Sequence, residues 1–83
     1  MLLLIEIGNS NLKIAYKDQD FISKVFRIKS DNMRSSDEYA VIIKAILNQN
    51  IKKSYTIDKC IISSVVPSLT FTISNFVQSY FEI

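Results

Sequence analysis

With no histidine among its 83 residues, this chain can draw its acid–base chemistry only from carboxylates, lysines, tyrosines and one cysteine. Ser-His-Asp and Cys-His catalytic pairs are therefore excluded. Zinc would find only Cys60 and carboxylates, a poor ligand set for that ion. The residues of greatest interest lie near the start, in the run Glu6-Ile7-Gly8-Asn9-Ser10-Asn11-Leu12-Lys13. A phosphate grip needs backbone N–H groups unobstructed by a Cβ, a balancing cation and rigid support. Gly8 offers the first, Asn9, Ser10 and Asn11 add donors, and Lys13 brings the charge. Glu6 can face a magnesium ion through water, because magnesium prefers oxygen ligands and keeps several waters. The same residues also make an ordinary hairpin turn, with Gly8 free to take positive φ and Asn tolerating it.

Elimination among the eight acids sets Glu6 apart. Asp18 and Asp20 belong to a turn, and Asp31 to a loop. Asp37 and Glu38 suit the first turn of a helix, where the dipole favours negative charge. Asp58 precedes a strand and Glu82 is near the end. Only Glu6 interrupts a strand expected to be buried, where an unpaired charge is costly.

The elements that must position these residues follow from periodicity. Leu2 to Ile7 is apolar on both alternating faces except at Glu6, which predicts a central strand covered on both sides. Leu12 to Lys17 alternates, with Leu12, Ile14 and Tyr16 inward, and predicts a second strand paired to the first. Asp18-Gln19-Asp20 is a weaker turn. Phe21 to Ile28 predicts a third strand with Ile22, Phe26 and Ile28 on one side. After a polar loop the period becomes helical: Tyr39, Ile42, Ile43, Ile46 and Leu47 form one stripe. Ser35 and Glu38 have capping-box spacing, and Asn48 to Asn50 end the helix. Cys60 to Val65 predicts a short strand, and Pro67-Ser68 starts a second helix carrying Leu69, Ile73, Phe76, Val77 and Tyr80. Phe81-Glu82-Ile83 reads as the opening of another strand. The fold class is α/β: a mixed sheet made of an antiparallel three-strand meander, then helix-strand-helix.

Three motifs resemble those of type III pantothenate kinases, in the same order. Glu6 to Lys13 resembles the family's first phosphate motif, Asp-x-Gly-Asn-Thr-Asn-x-Lys. Arg27-Ile28 through Arg34-Ser35-Ser36-Asp37-Glu38-Tyr39 resembles its Arg-Ile … Arg-Thr-x-Asp-Glu-Tyr segment. Ile61 to Leu69, with Ser63-Ser64-Val65-Val66-Pro67, resembles its Ser-Ser-Val-Val-Pro stretch. The resemblance implies a ribonuclease-H-like, actin-like ATPase lobe, with residues 1–83 as an incomplete N-terminal part. It implies transfer of the γ-phosphate of ATP to pantothenate, the first step of coenzyme A synthesis. Magnesium, a monovalent cation (potassium or ammonium) and a homodimer belong to the same expectation. On it, Glu6 to Lys13 bind the ATP phosphates and Glu6 supports the metal. The general base, the pantothenate pocket and the adenosine site are expected beyond Ile83, so none of these residues is assigned a catalytic role. Glu6 departs from the pattern's aspartate by one methylene, a shift of about 1.5 Å, and a misplacement of about 1 Å can cost on the order of 10²-fold in rate.

Composition narrows the remaining choices. The chain is 48% hydrophobic and 22% charged with a net charge of +2, which is globular rather than disordered. Lys52-Lys53 is the only adjacent basic pair, and Phe21 and Phe26 are expected on opposite faces, so no nucleic-acid surface is predicted. Leu2 to Ile5 is too short to span a membrane, and the sequence lacks the features of a secretory leader. A lone cysteine fits a reducing cytoplasm. Cys60 is expected in the core, since nothing beside it activates a thiol. Ser63 and Ser64 are expected to satisfy local backbone, and Arg34 to be an exposed loop residue. A different class of function is an inactive module that complements a second lobe or self-associates through an open strand edge near Cys60.

Overall fold

The computed structural model describes all residues 1–83. Strand β1 (Leu2–Ile7) lies between β2 (Asn11–Asp18), which pairs with it antiparallel, and β5 (Lys59–Ser64), which pairs with it parallel. Two short strands, β3 (Phe21–Ile22) and β4 (Phe26–Lys29), share the far side of β2. Helices α1 (Ser36–Asn50) and α2 (Pro67–Phe81) complete a mixed α/β fold.

Both helices cover the same face of the sheet. Leu3, Ile5, Ile7, Leu12, Ile14, Tyr16 and Ile28 meet Tyr39, Ile43, Leu47, Leu69, Ile73 and Phe76 in one buried cluster. The period of two fixes which residues share a face, and here one set is buried while the alternate set, apart from Ala15, is not. β1 is therefore central but not covered on both sides. Leu2 and Leu4 are half-buried and Glu6 is exposed. The cost expected for burying the Glu6 charge does not arise, because no element lies over its face.

Helix α1 begins as its sequence predicts. The Ser35 Oγ accepts from the Glu38 N–H at 3.1 Å, and Glu38 Oε1 accepts from the Ser35 N–H at 2.9 Å. Helix α2 has Pro67 in its first turn, where the missing N–H costs nothing.

Two further expectations are corrected. The third strand is split, because Ser23 supplies one rung to β2 with its side chain. Its Oγ accepts from the Tyr16 N–H at 3.0 Å and donates to the Lys24 carbonyl at 2.8 Å. Ser23 is buried as a result, and Ile22 points outward, 58% exposed, instead of joining Phe26 and Ile28. The last residues do not open a strand either. Phe81 continues α2 and packs edge-on to Phe76 at 5.4 Å between ring centroids. Glu82 then ends the helix in the left-handed conformation, its N–H donating to the Gln78 carbonyl at 3.1 Å. This Phe76 contact rewards one more helical residue over an unpaired strand.

Candidate phosphate-binding turn

The Gly8–Asn11 turn joins β1 to β2 at the end of the sheet where β5 runs into α2. The Val65 N–H donates to the Ile7 carbonyl at 3.1 Å and carries the parallel pairing up to the turn. Ile7 and Leu12, paired across the hairpin, are 1% and 0% exposed. Their side chains face the core, so they anchor the turn. Asn9, Ser10 and Asn11 are exposed, and Gly8 is half-buried.

The backbone of the turn is open on its outer side. The Gly8 N–H donates to the Asn11 carbonyl at 2.9 Å, without a reciprocal bond from Asn11 to Gly8. The N–H groups of Asn9 and Ser10 donate to nothing in the chain, and neither do the side chains of Asn9, Ser10 and Asn11. Exposed, unspent donors of this kind are what an anion requires. The turn does not use the positive φ that its sequence suggested for Gly8, since no residue of this turn has one. A Cβ at position 8 would instead lie 3.2 Å from the Asn11 carbonyl oxygen. The glycine allows the two backbones to approach.

Below the turn, on the uncovered face, register aligns Ser63, Glu6, Lys13 and Arg27 across four strands. Lys13 Nζ lies 3.5 Å from Glu6 Oε1, with both side chains about half or more exposed at 46% and 63%. Such a pair contributes little to stability and separates readily. Lys13 shares its face with Asn11, two residues nearer the turn, so an ammonium released from Glu6 has the turn within its reach. No group of three or more His, Cys, Asp and Glu side chains converges to hold a metal. A single exposed carboxylate fits an ion that retains waters and takes other oxygens from a phosphate. Glu6 meets that requirement, with Lys13 as its competitor.

Sequence reasoning missed the residue that braces the turn from behind. Ser30 follows β4, and its N–H donates to the Ser10 carbonyl at 2.9 Å while its Oγ donates to the Gly8 carbonyl at 2.7 Å. Asp31 beside it is fixed by the Tyr39 hydroxyl, which accepts from its N–H at 3.0 Å and donates to its carbonyl at 2.9 Å. Tyr39 is fully buried. Arg34 is tied in as well, donating from Nη1 to the Lys29 carbonyl at 2.8 Å and lying over the Tyr39 ring. Only the register of β4 against β2 places position 30 opposite Ser10, and the split third strand hid that register.

Of the two strand-end serines expected to satisfy local backbone, only Ser64 does so. Ser64 Oγ accepts from the Val66 N–H at 3.0 Å, as expected of a serine ending a strand. Ser63 is exposed and makes no side-chain bond. Burial pushes the Cys60 thiol up to about 11, so it is no nucleophile near neutral pH.

Comparison with known proteins gives one consistent answer. A family model described as "Type III pantothenate kinase" matches residues 2–83. The type III pantothenate kinase of Ehrlichia canis (strain Jake) is 37% identical over 83 residues, covering 100% of this chain and 31% of that protein. That of Geobacillus sp. (strain WCH70) is 36% identical over 83 residues, covering 100% of this chain and 32% of the relative. The Exiguobacterium sibiricum protein is 32% identical over 82 residues, covering 99% of this chain and 32% of its own length. The chain thus spans about a third of the length of these relatives.

Proposed function

Because the chain belongs to the type III pantothenate kinase family, we propose that its share of the reaction is to hold the phosphate chain of ATP. Residues 1–83 form the N-terminal ATPase-like lobe of an enzyme that passes the γ-phosphate of ATP to pantothenate at the start of coenzyme A synthesis. The observation that carries this is the pair of unspent N–H groups at Asn9 and Ser10, beside a lysine held only by an exposed ion pair. Gly8 lets the backbone close up without a side chain in the way. Asn9, Ser10 and Asn11 donate to phosphate oxygens, and Lys13 exchanges Glu6 for the phosphate charge. Glu6, freed from Lys13, would hold a magnesium ion through water, and such an ion would neutralise charge on the phosphate oxygens. A monovalent cation, potassium or ammonium, completes the cofactor set, and no residue of this chain is assigned to it. Catalysis of phosphoryl transfer rests on positioning and charge stabilisation, and this lobe contributes the positioning of one reactant.

The lobe alone is expected to form no phosphopantothenate, since about two thirds of the relatives' length supplies the other side of the cleft. Binding is the appropriate test. Mg-ATP is titrated into the 15N-labelled chain, and the amide signals of the turn are followed. Saturable shifts at Asn9 and Ser10 are expected, with affinity reduced roughly tenfold or more in Lys13→Ala, the equivalent of one charged hydrogen bond. No response at these amides at millimolar Mg-ATP overturns the proposal.

A second reading rests on the edge of β5. That strand pairs only with β1, and Ile61 and Val65 beside the open edge are 58% and 72% exposed. Unpaired edges recruit strands. In this reading the chain associates with a second copy or a second lobe, as an inactive module. Sedimentation of the purified chain, with Ile61→Lys as the disrupting variant, decides whether the edge self-associates.

A further inference from the structure

Ser30 makes two hydrogen bonds to the turn, one on each side of Asn9, and this is more than strand pairing requires. Its N–H bond to the Ser10 carbonyl extends the β2–β4 ladder by one rung. The bond from Oγ to the Gly8 carbonyl, at 2.7 Å, reaches across to the other limb of the hairpin. Peptide units are planar and trans. A carbonyl drawn toward Ser30 therefore sends the N–H of the same unit the opposite way. The units concerned are Gly8–Asn9 and Ser10–Asn11, so the N–H groups of Asn9 and Asn11 are directed away from Ser30. The Gly8 carbonyl is the group that would otherwise accept from the Asn11 N–H and close a tight two-residue turn. It accepts from Ser30 Oγ instead, and that reciprocal bond is not made.

Ser30 is itself held rigidly. β4 fixes it on one side, and the Tyr39 hydroxyl holds the backbone of Asp31 on the other. The line of support runs from the buried ring of Tyr39 through Asp31 and Ser30 to the turn.

We infer that Ser30 is a positioning residue, which sets the anion-binding shape of the Gly8–Asn11 turn by gripping the carbonyls of Gly8 and Ser10. This inference rests on the phosphate-grip reading of that turn. It acts through the turn backbone and requires no contact between Ser30 and the ligand.

The test uses the whole 83-residue chain, inorganic triphosphate as the probe, and the Asn9 and Ser10 amide signals as the readout. Ser30→Ala removes the hydroxyl, and Ser30→Cys keeps the side chain's shape with a much weaker donor. Ser30→Thr keeps the hydroxyl. Ser36→Ala removes a comparable bond elsewhere, from Ser36 Oγ to the Thr72 carbonyl at 2.8 Å, and controls for general destabilisation. Ser30→Ala and Ser30→Cys are expected to weaken triphosphate binding roughly five- to tenfold, the range of one neutral hydrogen bond, and to move the Asn9 amide signal before any ligand is added. Ser30→Thr and Ser36→Ala should bind within about twofold of wild type. Should Ser30→Ala fail to fold, Ser30→Cys carries the same comparison. Wild-type affinity in the folded hydroxyl-deficient variants, or an equal loss in Ser36→Ala, overturns the positioning role while leaving the grip in place. A wild-type chain that ignores triphosphate overturns the grip, and this inference with it.

Discussion

Replacing Gly8 by alanine tests the reason a glycine occupies the head of the turn. The residue does not have positive φ, so alanine meets no conformational penalty there. It meets a steric one, since its Cβ would lie 3.2 Å from the Asn11 carbonyl oxygen. That oxygen cannot swing aside freely, because it accepts the Gly8 N–H at 2.9 Å. The hairpin must open by a few tenths of an ångström. Crowding of this sort costs about 1–3 kcal/mol. The lower conformational entropy of alanine in the unfolded chain offsets about 0.4–1 kcal/mol of it. A net loss of about 1 kcal/mol lowers Tm by roughly 4–8 °C for a domain of this size. Far-UV circular dichroism during heating reads the stability, and Mg-ATP titration reads the site. Asparagine provides the discriminating comparison. It tolerates left-handed backbone but carries the same Cβ, so Gly8→Asn should be as damaging as Gly8→Ala. A Gly8→Ala chain with wild-type Tm, or a Gly8→Asn chain markedly milder than alanine, refutes the contact argument.

Other expected outcomes concern the scaffold. Ser35→Ala removes the acceptor for the Glu38 N–H and should cost about 1 kcal/mol, the usual value of an N-cap, measured as a shift in urea midpoint. The Lys53 ammonium, hydrogen-bonded at 2.6 Å, holds the Asp18 carboxyl below its ordinary 3.8, and the N-terminal amine at 3.0 Å does the same to Asp58. Both folded-state values are depressed, so their contribution is complete above the ordinary carboxylate range and is lost as pH falls through the folded values. The Asp18→Asn/Asp58→Asn double variant should therefore be less stable than wild type at neutral pH and converge with it as pH falls through the depressed folded-state values; parallel curves throughout would contradict the assignment. With the thiol pushed to about 11, iodoacetamide labelling of Cys60 in the folded chain should rise about tenfold per pH unit up to pH ~10, and a plateau near pH 9 would show an ordinary exposed thiol.

Local patterns in the sequence determined much of this protein. The apolar run of β1, the alternation in β2, the Ser35–Glu38 cap and the apolar stripes of both helices each arise from residues a few positions apart, so each could be read without tertiary knowledge. The position of the turn, and its likeness to a known phosphate motif, were legible for the same reason. Tertiary structure decided what depends on distant partners. Periodicity states which residues share a face but not which face is covered. Only the packing of both helices on one side revealed that Glu6 faces solvent beside Lys13. The hydroxyl of Ser23 entered the sheet and split a strand that hydrophobic pattern made continuous. The contact of Phe81 with Phe76 extended α2 where local pattern began a strand. Gly8 is required by an oxygen of Asn11 across the hairpin rather than by its own torsion. Ser30 reaches the turn only because β4 pairs with β2 in one register, a choice made by the core side chains of Leu12, Ile14 and Ile28 together.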